Sequence, residues 1–275
     1  MMTTLDQDLV AFARLVEALR PWHGQLVIVG GWAHRLHRML SNATIPSHQP
    51  ISTLDADVAF DTKARLVGSI GNALKSAGFH EELSAKHEPP ASSYALRDSN
   101  AFYAEFLTPL VGSESKRDGS LDATETRAGV TAQKLRYLDV LLTTPIQLAL
   151  APEGLIPVQR AAEIFIAHPV CFVAQKLLIS DRRLPAKRAQ DVLYVHDTIE
   201  LFGANLGQLN EHWQSVRNTI RGNAVAEIHR VIDTQFGKVT DAIRSAALIP
   251  QDRSLVPERL QMRCSLGLKR IFGEA

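Results

Sequence analysis

Residues 53–60 read TLDADVAF, with Leu54, Ala56, Val58 and Phe60 at every second position and Asp55, Asp57 and Ala59 between them. A period of two is that of a β-strand, whose successive side chains point to opposite faces. Asp55 and Asp57 therefore share a face, with Cα atoms roughly 6.5–7 Å apart. Two carboxylates held so close repel each other unless a cation sits between them. The expected occupant is a hard divalent ion with oxygen ligands, Mg²⁺ or Mn²⁺. Standing alone the couplet reads rather as a solvated strand face, so its surroundings have to decide.

Upstream, Gln25 to Val29 (QLVIV) is a short apolar, β-branched run that predicts a buried strand. Gly30-Gly31 ends it, and WAHRLHRML resumes a helical pattern through Trp32, Leu36 and Leu40. Glycines between a strand and a helix let backbone N–H groups approach an anion closely, and phosphate is the natural candidate. The plain alternative is a tight turn. Residues 41–53 are rich in Ser, Thr, Pro and Asn and predict a loop. Downstream, AFYAEFLTPL (101–110) alternates again, placing Tyr103, Glu105 and Leu107 on one face. Glu105 can thus bring a third carboxylate to Asp55 and Asp57, although an edge strand often carries one exposed Glu. If Glu105 points elsewhere, Asp139 is the fallback. A metal that bridges phosphate oxygens and lowers the pKa of an attacking hydroxyl suits phosphoryl or nucleotidyl transfer, without a covalent nucleophile.

Amphipathic helices are expected at 4–20, with Leu5, Leu9, Phe12, Leu15 and Leu19 at helical spacing, and through Leu66, Ile70 and Leu74. SSYALR (92–97) predicts a strand, residues 111–129 an exposed mobile loop, and IPVQRAAEIFI further strand. Beyond His168-Pro169 the pattern turns helical to the end. The expected organisation is an α/β (α+β) mixed-sheet core over residues 1–168 and a helical C-terminal domain over 169–275.

Forty-five per cent hydrophobic residues suffice for a sizeable core in 275 residues, and a net charge of +1 provides no global field toward nucleic acid or membrane. Two cysteines far apart, Cys171 and Cys264, do not make a disulfide framework. The N-terminus carries Asp6, Asp8 and Glu17 among its apolar residues, unlike a signal peptide, and no run of eighteen apolar residues occurs. A cytoplasmic protein with no membrane partner is expected. No serine lies in a nucleophile elbow. His34 and His37 have a metal-compatible spacing without an evident third ligand, and His196-Asp197 reads as core or surface polarity.

The order VGGWAHRLH, TLDADVAF, YAEFLTPL resembles the nucleotidyltransferase superfamily, with its Gly-Gly turn, DxD strand and third acidic strand residue. More specifically it is similar to minimal bacterial nucleotidyltransferases related to abortive-infection toxins of type IV toxin–antitoxin systems. Glu105-Phe106-Leu107-Thr108-Pro109 matches their acidic strand, and Pro169, Phe172, Lys176, Leu177, Arg182, Arg183, Lys187 and Asp191 match a later helical signature. The resemblance spans about residues 25–195 and departs in three places. The glycines lie further from Asp55 than usual, Trp32 replaces a small hydroxyl residue, and Glu105 replaces an Asp. It implies metal ligation by Asp55, Asp57 and Glu105, with Glu105 helping to deprotonate the acceptor hydroxyl. It further implies a triphosphate held by Gly30 and Gly31 and a β- or γ-phosphate contact from Lys176. The implied reaction moves a nucleoside monophosphate from an NTP to a hydroxyl on RNA (such as tRNA), a protein or a small molecule, and a toxin would have an antitoxin partner. The alternative is a degenerate nucleotidyltransferase fold that binds nucleotide or a partner without turnover. From the residues alone, Lys176 reads as a lysine snorkelling from an apolar helix, Asp191 as the i+4 partner of Lys187, and Arg182, Arg183, Lys187 and Arg188 as a solvated basic face or a phosphate or RNA contact.

Overall fold

The computed structural model describes residues 4–84, 90–96, 101–115, 118–220 and 222–273. Arg97 of the strand expected at 92–97, and residues 116–117 of the polar segment, lie outside these. The chain divides into two compact units, Met1–Ala33 with Ser52–Ala167 and His34–Ile51 with His168–Ala275.

The first unit carries a mixed nine-stranded sheet. After helix α1 (Thr4–Ala18) come strand β1 (Val27–Val29) and helix α2 (Gly30–Leu36), within which the chain passes into the second unit. It returns for β2 (Asp55–Ala59), α3 (Ile70–Ser76), β3 (Phe79–Ser84), β4 (Ala91–Leu96) and β5 (Tyr103–Pro109). A second run adds β6 (Thr124–Arg127), β7 (Val130–Leu135), α4 (Leu138–Leu141), β8 (Ile146–Leu150) and β9 (Ala162–Ile166). The strand order is β3-β4-β5-β2-β1-β9-β8. β2 lies antiparallel to β1 and parallel to β5. β4 pairs with the first half of β5 and β7 with the second half, so Pro109 closes the strand where its missing donor costs little.

The alternating pattern is realised in burial. Ala56, Val58, Ala104 and Phe106 are buried, whereas Asp55, Asp57, Tyr103 and Glu105 are half-buried. On the apolar side, Leu15, Val16 and Leu19 face Ile28 and Ile164 around a small apolar space. Trp32 explains itself here as core, since its ring stacks on Phe12 at 4.1 Å and meets Phe102 edge-on at 5.8 Å. Two expectations change. α3 starts at Ile70 rather than near Leu66, because the Ser69 hydroxyl accepts from Asn72 N–H and caps it. The polar segment 111–129 is partly sheet: β6 and β7 form a hairpin across Ala128-Gly129, both with positive φ. That turn is anchored by Ile70 N–H on Ala128 C=O and by Tyr94 O–H on Gly129 C=O.

The second unit is helical: α5 (Pro169–Ile179), α6 (Pro185–Leu201), α7 (Leu206–Val216), α8 (Ala224–Phe236), α9 (Asp241–Ala247) and α10 (Pro257–Phe272). Segment 34–51 belongs to it. Thr44 N–H donates to Leu201 C=O at 2.7 Å, Asn205 Nδ2 to Asn42 C=O at 2.7 Å, and Gln49 N–H to Asp252 at 2.7 Å. The long interval between Gly31 and Asp55 is therefore a structural strap of the helical unit. Cys171 and Cys264 are both buried and unbridged. Among the described residues no helix is long and apolar enough to cross a membrane.

Candidate active site

Register assembles the acidic residues. Asp57 is the Cα partner of Glu105 across the parallel β2–β5 pair and of Val29 across the antiparallel β1–β2 pair. Asp55 faces Tyr103 in the same ladder. Adjacent strands lie about 4.8 Å apart, so Asp55, Asp57, Tyr103 and Glu105 form one patch on one face. Tyr103 registers the charge there: burial first, then the carboxylates of Asp55, Glu105 and Asp57, push its phenol up to about 12. The Thr53 hydroxyl donates to the Asp55 carboxylate. Asp139, the fallback carboxylate, lies instead on α4.

The glycine turn lies directly under this patch. Gly30 follows Val29 with φ +62°, and a Cβ there would stand 2.0 Å from Asp57 Oδ2. Only glycine meets both the backbone conformation and the space beneath the carboxylate. Gly31 is the second residue of α2. The donors fit a hard divalent ion: three carboxylates, oxygen only, on one half-buried face. Their ligand atoms are not gathered within 4.8 Å as a set of three; among the described residues the one set that is so gathered is His48, Asp197 and Glu200 of the helical unit.

Both carboxylates of that trio are already engaged by arginines. Arg253 donates to both Asp197 oxygens at 2.6 and 2.8 Å, and His196 Nδ1 lies 3.0 Å from Asp197 and 3.7 Å from Glu200. Arg263 bonds the other Glu200 oxygen, and His48 Nε2 lies 3.2 Å from Glu200. Burial would raise the Asp197 carboxyl, but His196 and Arg253 outweigh it and hold it below the ordinary range. We read this cluster as an ion-pair network tying strap, α6 and the segment before α10 together. Spacing in the sequence gave no signal for it beyond the His196-Asp197 pair.

The helical signature residues also meet. Lys176 is 7% exposed, with Nζ 2.8 Å from Asp191 and 5.3 Å from the ring centres of both Phe172 and Tyr194. Arg183 Nε donates to the other Asp191 oxygen at 3.0 Å. Asp191 thus pairs with Lys176 and Arg183 instead of the Lys187 that helical spacing suggested. Arg188 turns back to the carbonyls of Ser180 and Arg183, closing the α5–α6 turn. His34 and His37 are buried among Phe172, Tyr194 and Phe202. Burial and then His37 lower His34 to about 3, so it is neutral.

A search among curated proteins returns no match. A family model described as "Nucleotidyltransferase" matches residues 7–218, from within α1 through α7, a span that includes Gly30, Gly31, Asp55, Asp57, Glu105, Lys176 and Asp191. By this match over most of its length, the chain belongs to that nucleotidyltransferase family.

Proposed function

We propose that the protein is a metal-dependent enzyme that moves a nucleoside monophosphate from an NTP to a hydroxyl acceptor, releasing pyrophosphate. Membership of the family supports nucleotidyl transfer as such. The observation that carries the site is the register of Asp57, which lines up with Glu105 on one side and sits over Gly30 on the other. Asp55, Asp57 and Glu105 are the proposed ligands of Mg²⁺ or Mn²⁺. Such an ion, when bound, neutralises charge on the phosphate oxygens and lowers the pKa of a bound hydroxyl. Of the chain's own groups, Glu105 takes the acceptor's proton, and Gly30 and Gly31 admit the triphosphate against backbone. Asp55 is oriented by the Thr53 hydroxyl. Lys176 is proposed to contact a terminal phosphate, for which it must exchange part of its pairing with Asp191.

The proposed acceptors are an RNA 3′ end such as that of tRNA, a protein side chain or a small molecule. A toxin role with a cognate antitoxin, in the cytoplasm, rests on the sequence resemblance alone. The test is to incubate the protein with each labelled NTP, Mg²⁺ and either total tRNA or cell lysate. Label transfer lost in Asp57→Ala is expected. No transfer from any NTP, together with nucleotide binding that ignores Mg²⁺ and Asp57→Ala, favours the degenerate reading. The pairing of Lys176 with Asp191 is the feature on that side.

A further inference from the structure

The helical unit holds a groove of about 680 Å³ between α6, the strap and α10, which adjoins its ion-pair network at Glu200 and Arg263. Its floor is apolar: Ile199, Leu206 and the backbone of Gly203 and Gly267. Gly267 lets α10 press onto α6, since a Cβ there would meet Ile199 Cγ2 at 2.6 Å. The opposite wall is Thr44 and Pro46, fixed by the Thr44 N–H bond to Leu201 C=O. The groove is thus built by three tied elements. Its α10 edge exposes aliphatic surface that the fold leaves uncovered: Met262 is 55% and Leu266 64% exposed, four residues apart on one helix face.

The rim is cationic. Arg263 and Arg270 reach the groove, against the single carboxylate of Glu200, which Arg263 already engages. Arg270 has no carboxylate partner among the described residues. A second cavity of about 280 Å³ continues past Glu200, Met262 and Arg263 and adds Arg259. Three arginines face one carboxylate around aliphatic walls. A volume in the range of small-molecule sites, with an apolar floor and few convergent charges, is what a ligand with an apolar body and an anionic end requires.

We propose that this groove binds a free amphipathic organic anion, its apolar body along Ile199, Leu206 and Leu266 and its carboxylate or phosphate at Arg270. The site is independent of the proposed catalytic patch. The test uses the full chain with anilinonaphthalene sulfonate as fluorescent probe and dodecanoate as competitor. One saturable site is expected, displaced by dodecanoate and not by dodecyltrimethylammonium. Leu266→Asp and Arg270→Glu, both at exposed positions, each weaken the probe about tenfold, whereas Arg244→Glu leaves it unchanged. Equal displacement by the cationic detergent, or full affinity in both groove variants, would overturn the proposal. So would a concentration-dependent dimer that Leu266→Asp dissociates while the parent binds no probe, since the groove would then belong to a second copy.

Discussion

Two acidic clusters in this molecule use the same residue types for different ends. In the sheet unit, Asp55, Asp57 and Glu105 are brought together by strand register, with a glycine under one and a tyrosine phenol in the field of all three. In the helical unit, Asp197 and Glu200 are held by Arg253, Arg263, His48 and His196, and Asp191 by Lys176 and Arg183. Carboxylates answered by neighbouring guanidinium and ammonium groups stabilise a particular packing. Carboxylates brought together by strand register on a half-buried face are where an added cation has most to gain. Proximity of ligand atoms by itself points to the helical cluster, whereas the proposal places the metal at the strand cluster.

The comparison breaks most visibly at Asp57. Asp57→Asn is expected to cut nucleotidyl transfer at least about a thousandfold, near 4 kcal/mol of barrier, with little change in thermal midpoint. Transfer rates beside a melting curve check this, and a collapsed fold with residual rate intact would contradict it. In the helical unit the effects run the other way. Arg253→Ala strands the buried Asp197 and should cost about 3–5 kcal/mol in denaturant unfolding, as should Lys176→Ala through Asp191. Replacing both Lys176 and Asp191 with apolar residues should recover much of that loss.

A third effect is pH dependence. Burial, and then His212, lower His168 to about 3, matching the neutral Nδ1 that accepts Val170 N–H at 3.2 Å and caps α5. His34 is lowered to a similar value. Between pH 6.5 and 3 the unfolded chain takes up protons that the folded chain refuses, so stability falls as pH falls through that window. Each histidine contributes up to about 1.4 kcal/mol per pH unit there. Unfolding of His34→Phe across pH 4–7 should show a shallower slope than the parent. Smallest is Arg263→Ala, whose partly exposed pair with Glu200 is expected to change stability by under about 1 kcal/mol.

Much of the sheet was legible because its signal is local. The period of two at 53–60 and 101–107 fixes which face each carboxylate takes, before any partner strand is known. That Gly30 lies beneath Asp57 was not legible, since it depends on the register of two strands separated by a long strap. The strap itself read as a loop: its composition is polar, and the bonds from Thr44, Gln49 and His48 reach residues 152 to 203 positions away. β6 was missed because TETR has no apolar alternation and is held by a two-residue turn on α3. The partners of Asp191 were missed because helical spacing ranks Lys187 first, while tertiary packing of α5 on α6 supplies Lys176.

One titration tests the central claim directly. Mn²⁺ binding, followed by electron paramagnetic resonance with a non-hydrolysable ATP analogue present, should be weakened about tenfold or more by Asp57→Asn and by Glu105→Gln, and unaltered by His48→Ala. Binding that survives both strand substitutions and is lost with His48 would put the metal in the helical cluster and contradict the account.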